Sequence, residues 1–158
     1  MADNFRYRYG ETNPVTVPVA SATVINIGDL VYVSSGNALP ASALADAGTK
    51  AQNQEAFHDA FLGVAEQRSL AGETDPIRVA TSGTFEFDIA SATLALGALV
   101  GAAGTGVDGA VGVADQTVES VATPNLAIGR VQEAITSRTK VKVNIDSVIM
   151  TGGARAMA

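Results

Sequence analysis

Ile77-Arg-Val-Ala-Thr-Ser-Gly-Thr-Phe-Glu-Phe-Asp-Ile89 is the stretch from which the fold is read. Ile77, Val79, Phe85, Phe87 and Ile89 occupy odd positions, and Arg78, Ser82, Thr84, Glu86 and Asp88 occupy even ones. That alternation puts one face of a β-strand in a core and the other in water. Gly83 falls on the inward side and marks a bulge or bend. Working outward, Val141, Val143 and Ile145 alternate with Lys140, Lys142, Asn144 and Asp146 in a second strand near the C-terminus. Val24-Ile-Asn-Ile27 and Leu30-Val-Tyr-Val33 are two β-branched runs parted by a Gly28-Asp29 turn, and Ser34-Ser-Gly-Asn37 closes the pair. One helix is predicted over about 49 to 60, since Thr49 and Gln52 have the spacing of a capping box. Ala56, Phe57, Ala60 and Phe61 give it a narrow apolar face, suited to a short lid on a sheet or barrel end. Short strands, Gly-rich turns and no βαβ rhythm make the chain mainly β: a compact β-barrel or β-sandwich with one short helix.

Repetition runs through it. Phe61-Leu-Gly-Val-Ala-Glu-Gln67 is echoed at Val111-Gly-Val-Ala-Asp-Gln116 and more loosely at Ile128-Gly-Arg-Val-Gln-Glu133. Gly28-Asp-Leu-Val-Tyr-Val33 resembles Gly97-Ala-Leu-Val-Gly-Ala102, and each is followed by a copy of the glycine-broken strand. Two related halves sharing a meander are expected within residues 24–150.

The first 23 residues read as an extended N-terminal arm, because Pro14 and Pro18 lack amide donors and hold their predecessors out of helical geometry. Phe5, Arg6, Tyr7, Arg8 and Tyr9 alternate guanidinium groups with amphipathic rings, the side chains enriched at protein interfaces, and are the candidate partner-binding residues. As an arm without a core of its own, it is expected to be dispensable for folding and needed for docking. Residues 151–158 are expected to be a flexible C-terminal tail.

Composition narrows the function. At 158 residues and 47% hydrophobic, the chain can bury a core without staples. It has no cysteine, which removes disulfides and thiolate metal sites. The start has no long apolar run behind it and no stretch reaches about 18 apolar residues, so neither a signal peptide nor a membrane span is expected. A net charge of -6 disfavours nucleic-acid binding, which draws its affinity from Lys and Arg on phosphates. No basic residue lies between Arg78 and Arg130, while Glu86, Asp88, Asp108, Asp115 and Glu119 do; Arg138, Lys140 and Lys142 lead the last strand.

Candidate chemistry is thin. Gly104-Thr-Gly106-Val-Asp-Gly109 has the spacing of a dinucleotide loop but is followed by a strand-like run, which makes it a hairpin turn. His58, the single histidine, has no nucleophile motif near it. Asp29, Asp88, Asp108 and Asp115 could offer oxygen ligands, but no calcium-loop spacing orders them. Glu66 and Asp115 close equivalent repeat strands, and repetition explains them better than a catalytic carboxylate pair. No catalytic residue, cofactor or metal is assigned, and a non-enzyme is expected.

Gly28–Val33, Asn53-Gln-Glu-Ala-Phe-His-Asp-Ala-Phe-Leu-Gly-Val-Ala-Glu-Gln67, Ile77–Phe87 and Ala127-Ile-Gly-Arg-Val-Gln132 together resemble the capsid cement, or decoration, proteins of tailed bacteriophages. The resemblance spans about residues 24 to 149. It implies a β-rich structural protein, often a homotrimer, that is made in the host cytoplasm and binds the outer surface of the assembled head, bridging neighbouring major capsid protein subunits. It brings no catalytic residues and does not cover the N-terminal arm. A ligand-binding β module, such as a carbohydrate or host-surface adhesin, is the alternative; the chain has no tryptophan for a sugar platform, though Tyr7, Tyr9 and Tyr32 remain.

Overall fold

A computed structural model describes residues 2–105 and 112–150. Along the chain run β1 (Tyr7–Tyr9), β2 (Val15–Val17), β3 (Leu30–Ser34), β4 (Asn37–Pro40), α1 (Lys50–Ala60), β5 (Phe61–Ala65), β6 (Ile77–Ala80), β7 (Thr84–Leu94), β8 (Leu99–Gly104), β9 (Val113–Ser120), β10 (Gly129–Val131) and β11 (Ile135–Ile145). Among the described residues the protein is mainly β, with one α-helix and a closed five-stranded barrel. That barrel runs β7-β11-β10-β8-β9 and shuts where β9 pairs in parallel with β7, Asp88 opposite Thr117 and Ile89 opposite Val118. A second sheet, β2-β6-β5-β3-β4, curls the same way. Its two outer strands meet through the Ala38 N–H donating to the Pro18 carbonyl at 2.9 Å.

The alternation at 77–89 is correct in phase, yet it belongs to two strands and not one. Ile77 and Val79 fill the smaller barrel; Phe85, Phe87 and Ile89 lie in the larger core. Gly83, at φ +109°, turns the chain from one to the other, a backbone state that only glycine adopts without strain. Of the two runs at 24–33, Leu30–Ser34 forms β3 while Ile25 makes a single bridge to Ser69. Ser35 and Gly36, both at positive φ, make the tight turn into β4.

The expected arm is corrected. Residues 2–23 do run largely extended, but Tyr7 pairs with Phe85 on the larger barrel and Val15–Val17 pair with Ile77–Val79 on the smaller one. Val17 and Val19 are buried in the smaller core. Their alternating apolar side chains give this segment a share in both barrels, so the boundary drawn at residue 23 cuts through a sheet. The tail at 151–158, and Gly106, Asp108, Gly109 and Val111 of the turn and repeat readings, lie outside the described residues.

The two sheets share one pattern of pairing. In the smaller barrel Leu30 faces Val64, Val31 faces Gly63, and Ala65 faces Val79; in the larger, Leu99 faces Arg130, Val100 faces Gly129, and Val131 faces Val143. Even single main-chain bonds recur: Gly28 N–H to the Ala65 carbonyl matches Gly97 N–H to the Val131 carbonyl, and Glu66 N–H to Arg78 matches Gln132 N–H to Lys142. On this register Val31, Leu62, Ala65, Ile77 and Val79 are the counterparts of Val100, Ile128, Val131, Val141 and Val143, and all ten are buried. Gly63 and Gly129 are counterparts too, and a Cβ on either would strike a neighbouring-strand carbonyl, that of Ala80 or of Asn144. The strand equivalent to β5 is therefore β10, the looser match in sequence; β9, with the nearer match, takes the place of β4.

Helix α1 begins as its sequence foretells. Thr49 Oγ1 accepts from the Gln52 N–H at 3.2 Å, and Gln52 Oε1 accepts from the Thr49 N–H at 3.0 Å. Phe57 and Ala60 are buried, but the buried face is completed by Asn53 and Gln54 and not by Ala56. Gln54 donates to the Ala102 carbonyl at 2.9 Å and to Glu119 at 2.7 Å, fixing the helix against β8 and β9.

Candidate partner-binding site

The five candidate residues separate by the pleat of β1. The Glu86 N–H donates to the Arg6 carbonyl at 2.8 Å, so the main chain of residues 6 and 8 faces β7 while that of Tyr7 faces away. Arg6 is 3% exposed and cannot meet a partner. Its Nη2 donates to Asp88 Oδ2 at 3.0 Å and to Gln116 Oε1 at 2.6 Å. Gln116, itself buried, donates from Nε2 to Asp29 Oδ1 at 2.7 Å and to the Ala2 carbonyl at 3.1 Å. Asp29 Oδ2 accepts the Asn26 N–H at 2.8 Å. One continuous polar chain thus ties the N-terminal segment, the larger barrel at β7 and β9, and the turn before β3 of the smaller barrel.

The two carboxylates of this chain are tuned in opposite directions. Burial pushes Asp29 above the usual carboxylate value, against the pull of the Asn26 amide and Gln116. Asp88 also loses some solvation, but hydrogen bonds from Lys140 and Arg6 overcome that and hold it below the usual value.

The other four candidates line the surface or its margin. Phe5 is 72% exposed and Tyr9 49%. Tyr7 is half-buried, its ring edge-on to Phe5 at 6.3 Å and to Phe85 at 5.8 Å. Arg8 is exposed and pairs with Glu86 at 3.0 Å. Beside them opens a cleft of about 750 Å³ between the N-terminal segment and the smaller barrel, walled by Phe5, Tyr7, Phe85, Val64 and Gly28 and rimmed by Glu11, Glu66 and Arg78. Its size falls within the roughly 300–1,000 Å³ of ligand sites. Asn4 closes one end by donating its N–H to the Ile27 carbonyl at 2.7 Å.

The remaining chemical candidates have local partners. His58 Nδ1 lies 2.6 Å from the Ala127 carbonyl. Glu66 pairs with Arg78 at 3.0 Å, whereas Asp115 accepts from the Ser42 N–H and hydroxyl at 2.7 and 2.9 Å. Glu66 follows the end of β5, but Asp115 lies within β9 and does not close it; each carboxylate is engaged in its own structural bond. Asp29 and Asp88 are joined to cations and amides, and among the described residues no three acidic or histidine side chains group as metal ligands. Lys140 pairs with Asp88, and Lys142 with Glu133 at 2.7 Å; Glu133 in turn raises the Lys142 pKa. Sequence reading missed Gln116 and the Asp29–Asp88 link; the signal was a polar residue at an inward position of β9, where burial demands a partner.

No family model matches the chain, and no curated protein matches it.

Proposed function

We propose that this protein is a capsid cement protein of a tailed bacteriophage: a structural virion component that binds the outer surface of the head and stabilises it by bridging major capsid protein subunits, as a homotrimer. The observation that carries this reading is the sequence resemblance over residues 24 to 149. Two features of the fold agree with it. The two barrels are joined through a chain of polar side chains and a shared core, which suits a clamp spanning more than one subunit. The exposed Phe5 and Tyr9 sit beside the interbarrel cleft, giving a contact surface independent of Arg6. Symmetric assembly would multiply modest contacts into avidity.

The test is to strip the protein from its phage heads, add it back, and image the particles. Density for this chain on the outer surface, three copies around a threefold axis, and a raised temperature of head disruption are expected. Heads that neither bind the protein nor gain stability would refute the reading. The aromatic-walled cleft favours one second reading, a ligand-binding β module. A saturable response to glycans or host-surface extracts, with no head binding, would establish that reading in its place.

A further inference from the structure

Every strand in a sheet must have its edge paired, covered or blunted. The larger barrel closes on itself through β7 and β9. The smaller barrel leaves the outer edge of β2, and that edge is blunted. The Arg78 carbonyl accepts from Glu66 on the β5 side, so Val15 and Val17 bond to β6 while positions 14, 16 and 18 face out. Two of those three are Pro14 and Pro18, with no N–H to offer, and the Pro18 carbonyl is already taken by Ala38. The outer edge of β1 has no such protection. The Tyr7 carbonyl is met by Arg8 Nη1 at 3.0 Å, but the Tyr7 N–H has no hydrogen-bond partner among the described residues.

That open edge borders the cleft, whose accessible apolar wall is Phe5 and Tyr7, set over the buried Phe85 and Val64. Among the described residues, the charged ones lining it are Arg6, Arg78, Glu11 and Glu66, two of each sign. With no net charge to attract a phosphate or a polyanion, the site suits an uncharged apolar group carried on a backbone that can hydrogen-bond. We propose that the β1 edge and the cleft form one groove, which takes an extended peptide segment of a partner chain by strand addition and seats one apolar side chain of that segment against Phe5 and Tyr7. Backbone pairing supplies the register, and the cleft supplies the selectivity. The identity of the partner rests on the cement reading; the groove itself does not.

The experiment uses the full-length protein, isotope-labelled, and the capped peptide acetyl-Lys-Thr-Val-Thr-Phe-Thr-Val-Thr-Lys-amide as probe, followed by amide chemical shifts. Saturable shifts at Phe5, Tyr7, Val64 and Glu66 are expected. Replacing the central phenylalanine with serine should weaken binding at least tenfold. Strand addition uses one edge of the added strand, so of the two isomers N-methylated on alternate residues, one should lose binding at least tenfold and the other keep it. In the protein, Phe5→Ser should weaken binding severalfold without altering thermal unfolding. Absence of shifts at millimolar peptide, shifts confined to another surface, or equal binding by both N-methylated isomers would overturn the groove. Heads that bind the protein while the peptide fails refute the groove and leave the cement reading standing; the converse result does the reverse.

Discussion

Replacing Arg6 with methionine tests whether the N-terminal segment belongs to the folded domain. The substitution keeps much of the aliphatic stem, so lost packing contributes little. It removes the donors to Asp88 and to Gln116, bonds of 3.0 and 2.6 Å. Gln116 Oε1 is left buried without its donor, at a cost of about 1–3 kcal/mol. The bond to Asp88 is worth about 1.5–3 kcal/mol as a charge-assisted one, but Asp88 is 33% exposed and keeps Lys140, so the lower end applies. Against these, Arg6 Nε is buried with no partner among the described residues, and its removal returns about 1 kcal/mol or more. The net destabilisation is about 2–3 kcal/mol, to be read from the guanidinium unfolding midpoint at constant slope. In a domain with about 5–15 kcal/mol of stability this is readily measured. A change below about 0.5 kcal/mol, the level of a surface substitution, would refute the buried chain and return residues 2–12 to the status of a loose arm.

Phe87→Ala should cost about 3–5 kcal/mol, because the ring is fully buried in the larger barrel; calorimetry or denaturant unfolding measures it. Gly129→Ala and Gly63→Ala should be comparably severe, since each puts a methyl group into a facing carbonyl. A folded, unshifted variant at either site would contradict the strand register. Asp29 has a raised folded pKa, so its native state takes up a proton above the ordinary Asp value of about 3.9, and falling pH through that window favours folding at this site. Asp29→Asn should abolish that gain, so that wild-type stability improves relative to the variant as pH is lowered from neutrality towards the ordinary Asp value of about 3.9. Asp88, held low, contributes the opposite dependence: stability present above about pH 4 and lost below it.

The β class, the capped helix and the inward phase of Phe85 and Phe87 were all legible, because periodicity and capping chemistry are local. The division at Gly83 was not. A positive-φ glycine and a bulge look alike in sequence, and only the tertiary destination of each flank tells them apart. Internal repetition was visible, yet Val111–Gln116 was matched to Phe61–Gln67 on shared letters, whereas in strand register Gly129 is the counterpart of Gly63. Function in that repeat lies in close backbone approach and not in the identity of the following residues, so Val64 could become Arg130. Of the five candidate residues, the place of one was hidden from the sequence. Residue types picked out Phe5 to Tyr9, but burial of Arg6 depends on Gln116 and Asp88, which lie 110 and 82 positions away.

The two barrels also differ where they are not alike in environment. Leu30, Val64 and Ala80 form an apolar outer face on the smaller barrel, buried within the larger core cluster. Their counterparts on the larger barrel are Leu99, Arg130 and Asn144, and the last two are exposed. A module that docks by one face onto its successor can in principle be threaded into an endless column, like links that each accept the next. Here the second link presents a guanidinium and an amide where the first presents valine and alanine, and the column ends at two. Charge at Arg130 is thus a full stop in a sentence that geometry alone would leave running.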